Sequence, residues 1–486
     1  MKKAGTKMLG FTLSAAMLAG CLSGCGGKPA NSAAGSGSTE DGTATSEAGA
    51  GTTADEAEAD SAAEEPKVVT STYGDANGTK LELWTFVDAH AAFYGGMVDK
   101  WNTANPDRTI ELTAITYPYG EMHTKLLASL NAGTGAPDIC DVEVGQYPNV
   151  VNGLDTWLYP LDTAMAPYKD DMVQSRLDTY KGSDGHYYGA PFHVGATVMY
   201  YNMAELEKYN ITQADVDAVV TWDDYEALGK KYVEARGEEG KYWTSVDTGS
   251  MDWLWLAMAE YGDDWTGGFD GKANVQLDSV TKMLDKQVSW LNDGIAEVSP
   301  DGHTDVEAGF QNILDHNIVS FPKAMWYMSR FIQYMPEEKG NWYIAKCPVF
   351  EAGQPCSVGI GGTGTVVTNQ SEDPALAADF DCYAKMSPEG ETQIWEQLGF
   401  DVCNTSLWSD DAFAHDKSNQ YNTYFRNYPY DVLNGIADQI GKISVVAISP
   451  TIGDQFNLIT LNDILENGKP VADALQEAQD AIDLEQ

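Results

Sequence analysis

The chain has 486 residues and a formal net charge of −44, set by 73 Asp+Glu against 29 Lys+Arg. So strong a polyanion lacks the basic footprint that neutralises phosphates, which excludes a nucleic-acid or anionic-membrane binding face. Its 43% hydrophobic residues suffice for a real core at a length typical of two domains, and seven cysteines are too few for a disulfide scaffold.

Lys2, Lys3 and Lys7 precede an apolar run from Met8 to Ala19. This has the form of a secretory signal and is too short to span a bilayer with margin. Leu18-Ala19-Gly20-Cys21 and Leu22-Ser23-Gly24-Cys25 both resemble the lipobox of bacterial lipoproteins. There a peptidase cuts before the Cys, whose sulfur carries a diacylglyceryl anchor. The polar tract starts at Gly26-Gly27, so Cys25 is the expected lipidated residue and Cys21 its alternative. An ordinary signal peptide that happens to contain cysteines is the plainer reading. Residues 26–78 read as a disordered acidic tether of Gly, Ala, Ser and Thr, without an aromatic as far as Thr72. Such a stretch cannot bury enough apolar surface to offset its ordering entropy, and as a coil it spans about 40 Å.

The folded body is expected from Thr79. Lys80 to Phe86 alternates as a strand, and Phe93, Met97, Val98 and Trp101 follow at helical spacing until Asn105-Pro106 stops them. Ile110 to Ile115 is a second strand. Met122 to Ala132 is a helix with Gly133 beyond its end, and Pro137 to Val142 is a third strand. This β-α-β-α-β order predicts a mostly parallel α/β sheet. Further strands are expected at Val198–Tyr201, Ile318–Phe321, Trp342–Ala345 and Gly364–Thr368. Thr221 is placed to cap a helix running to about Ala235. Two more helices are expected, from about Pro374 to Met386 and from Val471 to Ile482.

Four segments then carry a resemblance. Pro137-Asp138-Ile139, after a helix ending in Asn131-Ala132-Gly133, resembles a segment of the family 1 bacterial extracellular solute-binding proteins. So do Tyr188-Gly189-Ala190-Pro191 with Tyr200-Tyr201-Asn202, Thr221-Trp222-Asp223-Asp224, and Gly361-Gly362-Thr363-Gly364 with Asn369-Gln370-Ser371. All four stand in the family's order, across about residues 80–482. The resemblance implies a two-lobed, periplasmic-binding-protein-like α/β fold with hinge crossovers and a ligand cleft between the lobes. Lobe 1 would hold 79–192 plus 362–405, and lobe 2 would hold 193–361 plus 406–486. It implies a carbohydrate-binding lipoprotein of an ABC importer in the maltose and multiple-sugar group. The chain would act as a monomer at the extracellular face, partnered by a carbohydrate, by permease subunits and, through its lipid alone, by the membrane. No cofactor, metal, nucleic acid or enzymatic activity is implied. Two departures stand out: Thr363 where the family carries an aromatic, and Pro322-Lys323-Ala324-Met325-Trp326 in place of a Gly-Pro-Trp loop.

A sugar offers an apolar face to an aromatic ring and a rim of hydroxyls to polar side chains. Ligands of open α/β sheets sit beyond the carboxyl ends of strands. The residues so placed are Asp88, His90, Glu143, Gln146 and His193. Trp326, Asp252, Trp253, Gly361, Gly362 and Thr363 stand where the family places ligand loops and its second crossover. Each has a plainer reading: Trp253 as helix core, the acids as solvated loop residues. Trp84, inside its strand, reads as core. No Gly-x-Ser-x-Gly, P-loop or His-Glu-x-x-His occurs. Asp301, Gly302, Asp305 and Glu307 miss the calcium-loop pattern. The alternatives from other classes are a secreted glycoside-active enzyme and a binder of a peptide or polyamine. Cys347 and Cys356 flank a turn from Pro348 to Pro355, so a bridge between them is an open expectation.

Overall fold

The computed structural model describes residues 68–269 and 271–486. Cys21, Cys25 and the tether as far as residue 67 lie outside the described residues. Thirteen strands are named in chain order: β1 Val69–Gly74, β2 Thr79–Thr85, β3 Ile110–Thr116, β4 Ile139–Glu143, β5 Ala190–Pro191, β6 Thr197–Asn202 and β7 Thr244–Val246. β8 Ala296–Val298, β9 Ser320–Ala324, β10 Trp342–Ala345, β11 Ser357–Val358, β12 Thr363–Val367 and β13 Ile440–Gly441 follow.

A six-stranded sheet has the order β1-β3-β2-β4-β12-β5, and a three-stranded sheet the order β10-β6-β9. β3 alternates buried and half-buried residues along its whole length, as a strand with one well-covered face should. The expectation of a mostly parallel sheet is corrected. Within the six-stranded sheet only the β2–β3 and β2–β4 pairings are parallel, while β1, β12 and β5 join antiparallel. The three-stranded sheet is antiparallel throughout, and the two-stranded β7–β8 and β11–β13 pairs are parallel. The expected start at Thr79 is corrected too. β1 falls inside the predicted tether and pairs with β3 from Val69 to Gly74.

Local signals in the chain set the helix ends. Thr221 and Asp224 form a reciprocal capping box ahead of the helix Trp222–Arg236, and Gly133 closes the helix Tyr119–Ala132 in the left-handed conformation. Asp373 caps Pro374–Met386, with Pro374 at the first helical position. One face of the large sheet packs on Asp88–Ala104 and Pro374–Met386, and the other on Tyr119–Ala132. Helices Trp222–Arg236, Asp252–Tyr261, Asp278–Asn292 and Val471–Asp483 share a second core, with Trp222, Trp253 and Trp290 at its centre. No helix among the described residues is long and apolar enough to cross a membrane. The five described cysteines are buried free thiols, so the expected Cys347–Cys356 bridge is absent.

The chain leaves the large sheet at β5 and enters the small one at β6, then returns between β11 and β12. The two crossing segments touch: Ile360 N–H donates to Gly195 O at 2.9 Å, beside a bridge between Ala196 and Gly359. Gly195 has φ +69, and a Cβ there would sit 2.4 Å from Ile360 O. Only glycine allows that approach. Asp401 runs alongside, its carboxylate accepting from Gly195 N–H at 3.2 Å and Ala196 N–H at 2.7 Å.

A buried polar network ties the large sheet to its helices. Tyr94 Oη lies 3.2 Å from Asp141 Oδ1, 3.2 Å from Thr365 Oγ1 and 3.1 Å from Asp381 Oδ1. Burial pushes the Asp381 carboxyl up to about 7, an effect that nearby Lys385 only partly offsets. The folded value stands above the unfolded one. Its stabilisation is therefore full below about pH 4 and is lost as pH rises to 7. Asp381→Asn keeps an oxygen for Tyr94 and removes the titration. Its unfolding free energy should fall less than the wild type's between pH 4 and 7. Asp401 and Glu260, also pushed up to about 7, leave some slope in both proteins. Urea titrations across that range check it, and parallel pH profiles would contradict it.

Candidate functional site

Two cavities open where the crossing segments meet the carboxyl end of β4. The larger, about 340 Å³, is walled on one side by Glu143, Val144, Gly145 and Gln146. Facing them are Ser250, Asp252, Trp255 and His303, with Ile360 and Gly361 at the base and residues 443–457 supplying the remaining wall. The smaller, about 200 Å³, lies among Phe86, His90, His193, Trp326, Arg330, Gly362, Thr363 and Phe400. Glu143 lines both. Together they fall in the size range of small-molecule sites.

Each polar group has a physical setting. Glu143 stands at the end of β4, where its carboxylate accepts from Gly145 N–H at 2.7 Å and Tyr119 O–H at 3.1 Å. Burial raises its pKa, the hydrogen bonds pulling the other way. His90 Nδ1 lies 3.1 Å from Asp141 Oδ2, and its ring packs on Phe192 at 4.3 Å between centroids. That fixes the ring plane of a residue that lines the smaller cavity. Burial and then the Arg176 charge hold His193 well below the usual imidazole range, so it is neutral at pH 7. Its Nδ1, 3.6 Å from Asp401 Oδ1, and Thr363 Oγ1 are buried without a hydrogen-bond partner among the described residues. Arg176, 2% exposed, donates to Gly361 O; its Nε and Nη1 have no partner among the described residues.

Asp252 Oδ2 lies 2.6 Å from Lys323 Nζ, and Asp247 Oδ2 lies 3.1 Å from the same nitrogen. Burial alone would raise the Asp252 carboxyl, but the lysine outweighs it and holds the group low. Trp326 follows β9 on the turn Met325–Tyr327, and its Nε1–H donates to Ile360 O at 3.1 Å. The Arg330 guanidinium, held by Asp305 at 2.8 Å, sits 5.5 Å from its ring centroid. The cleft thus offers aromatic faces, carboxylates, an amide and a neutral imidazole. No cluster of His, Cys, Asp and Glu able to hold a metal ion occurs among the described residues.

Residues 85–384 match the family model described as "Bacterial extracellular solute-binding protein". The chain belongs to this family. An arabinooligosaccharide-binding protein of Halalkalibacterium halodurans is 36% identical over 422 residues, 85% of this chain and 92% of that protein. An arabinooligosaccharide-binding protein of Bacillus subtilis is 37% identical over 400 residues, 81% of this chain and 89% of its own length. Among solved structures, the sugar-binding protein MalE from Xanthomonas citri superposes with a TM-score of 0.68 at 18% identity, covering 83% of this chain and 96% of its own. The two-lobed α/β fold expected of a solute-binding protein is therefore the fold of this chain.

Against that fold, nine of the eleven expected ligand residues line a cavity: His90, Glu143, Gln146, His193, Asp252, Trp326, Gly361, Gly362 and Thr363. Two do not. Asp88 is exposed at the start of its helix and lines neither cavity. Trp253 is 3% exposed and packs on Trp222 at 5.5 Å and Trp290 at 5.3 Å. It is core, and Trp255, two residues on, faces the cavity instead. Trp84 is also core, 2% exposed. Sequence reasoning missed His303, Arg330, Phe400 and the wall at 443–457. Arg330 is four residues beyond Trp326, a spacing that could have flagged it; the others carry no local signal.

Proposed function

We propose that this protein captures a sugar or oligosaccharide in the cleft and delivers it to an ABC import permease. The supporting observation is that one cleft draws Glu143 and Gln146 from the β4 end, Trp255 and Trp326 from around the small sheet, and the crossing segments at its base. Aromatic faces beside hydrogen-bonding rims suit the two-sided chemistry of a sugar. The two curated relatives named above point to arabinose-containing oligosaccharides as the class to test.

In this reading, lobe 1 (79–192 plus 362–405) and lobe 2 (193–361 plus 406–486) rotate about the crossing segments and close on the ligand. The ligand acts by its preference for the closed state, which the permease recognises. Lipidation at Cys25, or at Cys21, anchors a monomer at the extracellular face. No turnover is expected: Lys323 ties up Asp252, so Asp252 and Glu143 do not form a free acid–base pair across the cleft. Titrating the protein with mono- and oligosaccharides by calorimetry, then analysing the recovered sugar, tests this. Saturable binding with intact sugar is expected. Absence of binding across the panel, or shortened products, would overturn it.

A further inference from the structure

Residues 443–457 lie beyond residues 85–384, which the family model matches, yet they supply a wall of the larger cavity. Within that wall, the helix Ser449–Gln455 runs directly into a π-helical turn, Phe456–Thr460. A π turn widens the helix and resets which side chains share a face. Here it leaves Leu458 and Ile459 exposed, at 70% and 50%, buries Phe456 and Thr460, and puts Asn457 on the cavity. Gln455 Nε2 donates to Thr460 Oγ1 at 3.1 Å across the turn. Phe456 packs on Trp265 with centroids 4.9 Å apart, and Trp265 packs at 4.9 Å on Trp255, which lines the same cavity. One aromatic relay therefore fixes both Trp255 and Asn457. The Asn457 Oδ1 atom is buried and has no hydrogen-bond partner among the described residues. Asn457 lines the cavity while its amide oxygen is turned into the protein, where it is an acceptor in want of a donor.

We propose that Asn457 is a specificity-determining ligand contact, its side-chain oxygen accepting a hydrogen bond from a sugar hydroxyl in the cavity that Trp326 does not line. This rests on reading the cleft as a sugar site. The wall lies beyond residues 85–384, the part matched by the family model, so the role of Asn457 is read from discrimination among sugars. The experiment is calorimetry of the full chain with arabinooligosaccharides of increasing length. Asn457→Leu should bind about 2- to 12-fold more weakly, the net value of one neutral hydrogen bond. The loss should be largest for oligosaccharides long enough to reach from Trp326 to Asn457. Asn457→Asp, which keeps an acceptor oxygen, should retain more affinity than Asn457→Leu. Leu458→Ser, on the solvent side of the same turn, should match the wild type. Equal affinity of Asn457→Leu and wild type for every sugar overturns the assignment. So does a uniform loss that Leu458→Ser shares. A wild-type protein that binds no sugar overturns the reading of the cleft, and this assignment with it.

Discussion

Trp326→Ala should bind its sugar about 5- to 150-fold more weakly than the wild type while remaining folded. The indole follows β9 on a short turn and reaches Ile360 O with its N–H, so its ring is fixed beside the return crossing segment. It is only partly buried, and the space on its free side is the smaller cavity. Stacking on such a ring contributes roughly 0.5–1.5 kcal/mol beyond area burial, by analogy with aromatic pairs. Together with the apolar area a ligand would cover, the loss is about 1–3 kcal/mol, which sets the fold-change at about 1.4 kcal/mol per decade. Calorimetry on the two proteins decides. Unchanged affinity in a folded variant would remove Trp326 from the site.

Lys323→Met should cost about 3–5 kcal/mol of stability, the largest effect on folding expected here. Lys323 is 1% exposed on β9 and is the cation for Asp252 and Asp247, both nearly buried. Removing one partner of a buried ion pair leaves uncompensated charge, and here two carboxylates are left. The sign with pH follows. Without the lysine, burial, the largest influence on Asp252, is no longer outweighed and pushes that carboxyl upward. The variant's deficit should then shrink as pH falls toward 4 and grow as pH rises. Urea unfolding at pH 4.5 and pH 7.5 measures both parts. A deficit under about 1 kcal/mol at pH 7.5 would show that the acids find other partners. The same variant frees Asp252 at the cavity wall, so sugar affinity should change as well.

The elements legible in the sequence were those with strong periodicity. β2, β3 and β4, and the helices around Trp101, Leu126 and Trp222, each carried enough alternation or helical spacing to be placed within a few residues. β1 was not legible. Its VTSTYG run is mostly exposed at the sheet edge, so it carries no buried face to show, and it follows a low-complexity tract. Strand direction was not legible either. β12 is buried along its whole length and would show the same run of apolar and small residues whichever way it ran. The crossing segments were legible through their glycines and the family order. At the site, Trp253 and Trp255 differ by two residues on one helix. About 200° of rotation separates them, and only tertiary packing decides which faces the cavity. Asn457 and His303 depend entirely on which distant segments close over the cleft.

The five buried thiols have a further use. Cys140 lies on β4, Cys382 on the helix Pro374–Met386, and Cys347, Cys356 and Cys403 in connecting segments, and none is more than 4% exposed. Burial also pushes their thiol pKa values up, so in the folded state they are doubly unreactive. A thiol reagent reaches them only through molecules that have opened, which makes alkylation of these positions a clock for opening rather than for surface chemistry. A ligand that binds only the native body slows that clock by the factor by which it depletes opened molecules, 1 + [L]/Kd. The chain thereby carries its own occupancy gauge, spread over five positions and requiring no added label.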